Sequence, residues 1–355
     1  MNILEYRPNF GTFSSGFEVF DKNEVVEAIK LTKDANYGYN TLHKQWFLPS
    51  IASIATFSSE NDVDLALFNP EFGENIARRG SSNFFFYDFQ NCLDYLANNL
   101  PKFAIFKTEV DVIPLLNTAE DYVRDGFGQL SKDKLIYKLF ELGYKPHLVV
   151  LDEADYGVPL HRSFAFYVAT PKNFTLTMPK PLFTATGKGE YKKYRTVKDA
   201  ISDLGHMGDW VEYELPPQNA FQKFVRNTEV QKVTWHHLPN IKSTAKEKIA
   251  CIQQGSNNET SVAKSRSKGY NRAKWDSICR CMDEKFYLSS SKLGDSIHPL
   301  QNRPFTIREG CRMHGLPDKL SFDLKTSRKT LAKMIHNSVS PLIGQIFSIA
   351  LGYIK

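Results

Sequence analysis

The chain has 355 residues, 42% hydrophobic and 24% charged, which suits a globular protein of one large and one smaller domain and excludes a disordered tail or a fibrous repeat. Its net charge of +6 leans towards polyanionic partners, although a solvated basic surface would read the same way. The five cysteines (Cys92, Cys251, Cys279, Cys281, Cys311) form no C-x-x-C pair, which excludes a disulfide framework and fits a reducing, cytoplasmic or nuclear compartment. No run approaches the length of an apolar membrane span, and MNILEYRPNF carries no apolar signal region.

Residues 1–170 alternate short apolar runs with helical spacing, the pattern of a parallel α/β sheet. Strands are predicted at Val25–Ile29, Val63–Phe68, Phe103–Phe106, Leu148–Leu151 and Phe164–Ala169. Helices are predicted over Phe84–Asn98, with Phe85, Phe89, Leu93 and Leu96 on one face, and over Lys132–Leu142. The fold class read from this is α/β, a doubly wound nucleotide-binding sheet. Periodicity fades over residues 171–298, where prolines, lysines and aromatics dominate. Basic residues cluster there in Lys188–Lys198 and Lys264–Lys274, with Tyr191, Tyr194 and Tyr270 interleaved. Residues 299–355 turn helical again.

Two blocks near the end carry the most specific signal: QNRPFTIREGCRMHGLPD (Gln301 to Asp318) and MIHNSVSPLIGQIFSIAL (Met334 to Leu351). Together they resemble the closing motifs of DNA cytosine-5 methyltransferases. Arg303, Thr306, Arg308, Glu309, Arg312, Gly315, Pro317 and Asp318 fit the first motif. Ile335, Asn337, Ser338, Val339, Pro341 and Leu342 fit the second, with His336 where the family has glycine. The resemblance extends upstream in the family's order. It implies a Rossmann-like methyltransferase domain over 1–170, a target-recognition-like DNA-binding domain over 171–298, and terminal helices over 299–355 that return to the first domain.

The same comparison implies that the chemistry is missing. The family's nucleophile is a thiolate in a Pro-Cys dipeptide; it attacks carbon 6 of cytosine so that carbon 5 can accept a methyl group from S-adenosylmethionine. Here the dipeptide is Pro70-Glu71, a carboxylate in place of the thiolate, which otherwise reads as a cap for a following helix. The glutamate that holds the cytosine edge is matched by Lys107 without gaps, or by Glu109 after a shift of two residues. The glycine-rich cofactor turn reads Tyr6-Arg7-Pro8-Asn9-Phe10-Gly11, keeping Gly11, and the acidic ribose acceptor after the second strand is replaced by Lys30. Of the family's Q-x-R-x-R block, Arg162 remains. Asn337 and Ser338 would be vestigial cofactor contacts. His236-His237 make a poor chelating pair on an extended segment, and Cys279-x-Cys281 reads as a structural thiol pair.

The expectation is a catalytically inactive homologue with no cofactor, acting on double-stranded DNA or as a regulatory subunit of an active methyltransferase. Arg162, Arg266, Lys268, Arg272, Lys274 and Arg303 are the candidate DNA contacts. The rival is an S-adenosylmethionine-dependent enzyme with altered chemistry; a structural assembly protein is a third reading.

Overall fold

The computed structural model describes residues 1–50, 53–54, 57, 62–70, 82–110, 132–205, 207–208, 210–226, 232–238, 241–256, 270–288 and 294–352. Six strands form the central sheet: β1 (Asn2–Tyr6), β2 (Glu24–Ile29), β3 (Leu65–Phe68), β4 (Phe103–Glu109), β5 (Tyr144–Asp152) and β6 (Ser163–Pro171). Their order is β2-β1-β3-β4-β6-β5. The first four pair in parallel, with Ile3 beside Leu65 and Leu65 beside Phe103. The last two break the parallel pattern: β6 runs antiparallel to both β4 and β5, Glu109 pairing Phe164 and Leu151 pairing Phe164 from the other side. Strand β1 is absent from the runs read in sequence, because Glu5 and Tyr6 interrupt its apolar stretch.

Alternation along each strand sends side chains to opposite faces. On one face Leu4, Tyr6, Ala66, Phe68 and Phe106 pack under α3 (Ser82–Asn99), through Phe89, Leu93 and Leu96, and under α4 (Lys132–Glu141) through Leu135 and Leu139. On the other, Ile3, Leu65, Ile105 and Phe166 meet α1 (Thr12–Phe17), through Phe13 and Phe17, and the last helix, α10 (Pro341–Ala350), through Ile343 and Phe347. Helices α1 and α10 cross backbone to backbone at two glycines. A Cβ on Gly16 would sit 2.1 Å from the Pro341 oxygen, and one on Gly344 would sit 2.2 Å from the Phe13 oxygen. The carboxyl-terminal helix is thereby clamped against the first turn of the chain.

After β6 the elements are short: β7 (Phe183–Thr184), β8 (Lys192–Lys193), α5 (Val197–Ile201), β9 (Val211–Glu212), α6 (Ala220–Arg226), β10 (Lys232–Val233) and α7 (Ser243–Ala250). They share one hydrophobic cluster with α8 (Ile307–Met313) and α9 (Arg328–Asn337). Phe221, Val225, Trp235 and Phe286 lie in it beside Ile307, Met313, Leu331 and Ile335. The cluster reaches back to Phe10 of the β1–α1 turn and to Tyr39 of α2 (Lys33–Leu42). Among the described residues no helix is long and apolar enough to cross a membrane.

Candidate active site

Open α/β sheets take ligands outside the carboxyl ends of their strands. Here the ends of β1, β3 and β4, with the turn before α10, enclose a cavity of about 20 Å³, room for one or two waters. Glu5, Pro8, Asn9, Lys107, Asn337 and Ser338 are in its wall.

Strand β4 extends beyond the predicted Phe106, so Lys107 and Glu109 project to the same side. The Lys107 ammonium is buried and donates to Glu109 Oε1 at 3.1 Å and to the Asn337 carbonyl at 3.4 Å. Arg162 comes in from the turn before β6, donates through Nη1 to the Ser338 carbonyl at 3.2 Å, and places Nη2 3.9 Å from Glu109. Both cations lie over the Phe164 ring, at 4.5 and 4.3 Å from its centroid. Burial lowers the Lys107 pKa, opposed by Glu109. Burial pushes Glu109 up, but Lys107 and Arg162 outweigh it and hold the carboxyl below its usual range. Lys107 therefore stands in the cavity wall, and its partner Glu109 has 41% of its side chain exposed. His336 closes the adjacent side, donating through Nδ1 to the Met282 carbonyl at 3.1 Å; burial, then Arg162, lowers its pKa to about 4, so it is neutral at pH 7.

The crevice above β1 and β2 is filled by the chain itself. Phe10 is fully buried with its ring 5.0 Å from Phe322, and a Cβ on Gly38 would strike it at 2.8 Å. Gly11 caps α1 in the left-handed region (φ 67°), where a side chain is disfavoured. What approaches it is His43, whose Nε2 would lie 2.1 Å from an added Cβ. His43 stacks on Tyr39 at 4.0 Å and pairs with buried Glu18 at 2.7 Å. Beneath, Glu5 accepts from Ser14 and, at 3.1 Å, from Tyr39; burial, against those two bonds, raises its pKa to about 8 and keeps it largely protonated. At the end of β2 the Lys30 ammonium sits 5.8 Å from the Tyr6 ring centroid. Asn9 Nδ2 reaches the Asn337 carbonyl at 3.4 Å and Thr12 Oγ1 the Val339 carbonyl at 2.6 Å, lacing the first turn to the last.

The carboxyl-terminal block is a network of buried ion pairs. Thr306 and Glu309 make a capping box on α8, and Arg303 holds Glu309 with two bonds of 2.7 Å. Arg312 binds Asp318 at 2.7 and 2.6 Å and reaches Asp203 at 3.1 Å. Arg308 donates to the carbonyls of Thr234 and Leu320. Burial raises Glu309, yet Arg303 outweighs it and draws the pKa down to about 2.

Residues 128–350 match the family of C-5 cytosine-specific DNA methylases. The chain belongs to that family. A similar protein, the type II methyltransferase M.DdeI of Desulfomicrobium norvegicum, is 24% identical over 377 residues, covering 97% of this chain and 87% of its own. Among solved structures, a putative DNA modification methyltransferase encoded within an E. coli prophage superposes with a TM-score of 0.74 at 16% identity, covering 100% of this chain and 99% of its own. The S. pombe Dnmt2 methyltransferase gives 0.60 at 16% identity, over 100% and 99% of the two chains. At that identity the likeness speaks for the fold.

The family's cofactor is S-adenosylmethionine. In the turn that the sequence matches to the family's cofactor loop, Phe10 packs on Phe322, His43 lies against Gly11, and the Lys30 ammonium lies near the Tyr6 ring. Three candidate DNA contacts need correction. Arg272 is buried and donates to the carbonyls of Ile249, His298, Pro299 and Gln301 and to the Asn302 side chain, at 2.7–3.3 Å. Arg303 is likewise buried against Glu309, so neither guanidinium reaches solvent. Arg162 is enclosed too, with 8% of its side chain exposed and Nη1 on the Ser338 carbonyl, whereas Lys274 is exposed. Glu71, Arg266 and Lys268 lie outside the described residues. Ser338 turns its hydroxyl to the Met334 carbonyl, away from the cavity. His236 bonds Thr306 at 2.9 Å, Cys279 is buried, and no group of three His, Cys, Asp or Glu side chains among the described residues could hold a metal. Glu5, Asp203 and Phe322 were missed in sequence. Glu5 alone gave a signal, a carboxylate inside an apolar strand.

Proposed function

We propose that this family member is catalytically silent and cofactor-free, and that it acts on double-stranded DNA as a recognition or regulatory subunit beside an active cytosine-5 methyltransferase. The observation that carries the reading is the cavity wall. A buried ammonium, Lys107, stands in that wall, at the position that an ungapped reading of the sequence matches to the family's cytosine-holding glutamate. Glu71 in the nucleophile's dipeptide supports it, since a carboxylate is a far weaker nucleophile towards a pyrimidine ring than a thiolate. So do Phe10 and Lys30, which disfavour a neutral adenosyl group and its attached sulfonium. Function is argued here from the site, because the fold alone is compatible with activity.

The test is transfer of labelled methyl from S-adenosylmethionine to duplex DNA by the purified chain, alone and mixed with an active cytosine-5 methyltransferase from the same cells. No incorporation alone, with altered rate or site preference in the mixture, is expected. Incorporation by the chain alone would overturn the reading. It would favour the altered-chemistry enzyme, for which the approach of Arg162 to the half-exposed Glu109 is the supporting feature.

A further inference from the structure

The end of the first basic cluster of residues 171–298, at Val197 and Lys198, lies far in sequence from Lys274, yet backbone bonds bring it beside the residues that follow Lys274. The Val197 amide donates to the Ser277 carbonyl at 2.9 Å and the Lys198 amide to the Trp275 carbonyl at 3.0 Å. Val197 turns inward and is fully buried, which leaves Lys198 and its new neighbour Lys274 on the outside, both exposed. Immediately before α5, Lys192 and Lys193 of β8 are exposed as well. Strand β8, paired in parallel with β7, is fixed to the rim of the sheet's carboxyl end. Tyr194 donates to Asp155 at 2.7 Å and stands edge-on to His161 at 5.0 Å, one residue from Arg162.

Resting on the DNA-binding reading above, we propose that Lys192, Lys193, Lys198 and Lys274 form a single ridge that tracks the phosphates of duplex DNA. The molecule's charge distribution separates these lysines from its arginines. Arg272, Arg303, Arg308 and Arg312 are buried against carbonyls and carboxylates, whereas among the described residues none of the four lysines has a carboxylate partner. Three acids on the segments that carry or anchor these lysines are already engaged. Asp152 holds His161, Asp155 holds Tyr194, and Asp199 is tied into the capping box of Thr196. Glu190 and Asp276 are the exposed acids left on these segments, fewer than the lysines they would have to neutralise. Lysine presents a point charge on a flexible stem, suited to sequence-independent phosphate contacts; base readout would have to come from elsewhere.

Each phosphate neutralised releases a counterion, so binding weakens with salt at a slope of about 0.9 per contact. The experiment is fluorescence anisotropy of a labelled duplex over a KCl series, with the full chain and a Lys192→Gln/Lys193→Gln/Lys198→Gln/Lys274→Gln variant. A Lys22→Gln/Lys145→Gln control removes exposed charge at the opposite, amino end of the sheet, where Lys22 precedes β2 and Lys145 pairs Thr170. Exposed lysines are replaceable without loss of fold, which circular dichroism checks. The quadruple variant should lose about 3–4 from the slope of log K against log[KCl], and the control less than about 1. A quadruple variant with the wild-type slope would overturn the ridge and leave DNA binding standing. Absence of binding by the wild-type chain at the lowest salt would remove the DNA-binding reading, and the ridge with it.

Discussion

In the carboxyl-terminal block, Arg303, Arg308 and Arg312 keep the family's pattern, and every one is buried among protein partners. At the carboxyl edge of the sheet, on the reading proposed above, Lys107, Phe10 and Lys30 match positions where the family's active members carry an acid, a glycine and a ribose acceptor. The two regions differ in what held their residues in place. A guanidinium that balances Asp203 and Asp318 in the interior is required for folding whatever the chain does, because removing one partner strands the others. A glycine or acid that served a ligand is free to change once the ligand is no longer bound. On the proposed reading, motif retention in this protein reports on folding, and motif loss reports on chemistry.

The comparison breaks most severely at Arg312. Arg312→Met should cost about 3–5 kcal/mol in urea denaturation, since the carboxylates of Asp203 and Asp318 stay buried without it; a change near zero would mean the block is not retained for folding. The filled crevice is tested by Phe10→Ala, which empties the contact with Phe322 and should cost about 3 kcal/mol. Calorimetric titration of that variant with S-adenosylmethionine sharpens the contrast: no heat of binding is expected while Lys30 and Lys107 remain, and tight binding would show that Phe10 alone bars the cofactor. The smallest effect concerns pH. Glu5 rises from 4.5 to about 8 on folding, so its contribution is present below pH 4.5 and is lost as pH climbs through 8. Glu153, raised by burial to about 7, tilts stability the same way. Between pH 5 and 8 the wild-type chain should lose on the order of 2 kcal/mol that Glu5→Gln does not lose; parallel pH profiles for the two proteins would place the ionised carboxylate in the cavity instead.

Much of the sheet was legible because apolar alternation is a local signal. Strands β2 to β6 lie where their runs predict, with β4 read short because Lys107 and Glu109 look polar without their partners in view. The antiparallel turn of β6 and the loss of Arg272 and Arg303 from the surface were not legible. Arg272 is satisfied by carbonyls from Ile249 and from residues 298–301, an arrangement that no spacing announces. Charge in a sequence reads as surface by default, and only the fold says which charges are enclosed. Around the cavity, the contacts of His43 with Gly11 and of Phe322 with Phe10 were not legible, because they join segments far apart in the chain.

The self-filled crevice has a consequence for how the protein behaves in a changing cell. A protein that binds a ligand only when folded gains stability in proportion to the logarithm of ligand concentration over its dissociation constant, so its folded population follows the supply of that metabolite. Phe10, packed against Phe322 and held by covalent attachment at a fixed effective concentration, gives the same region a filling that neither dilutes nor runs out. On the reading proposed above, the melting temperature of this chain is the same in starved and fed cells, and cofactor-deprived extracts would carry it undiminished.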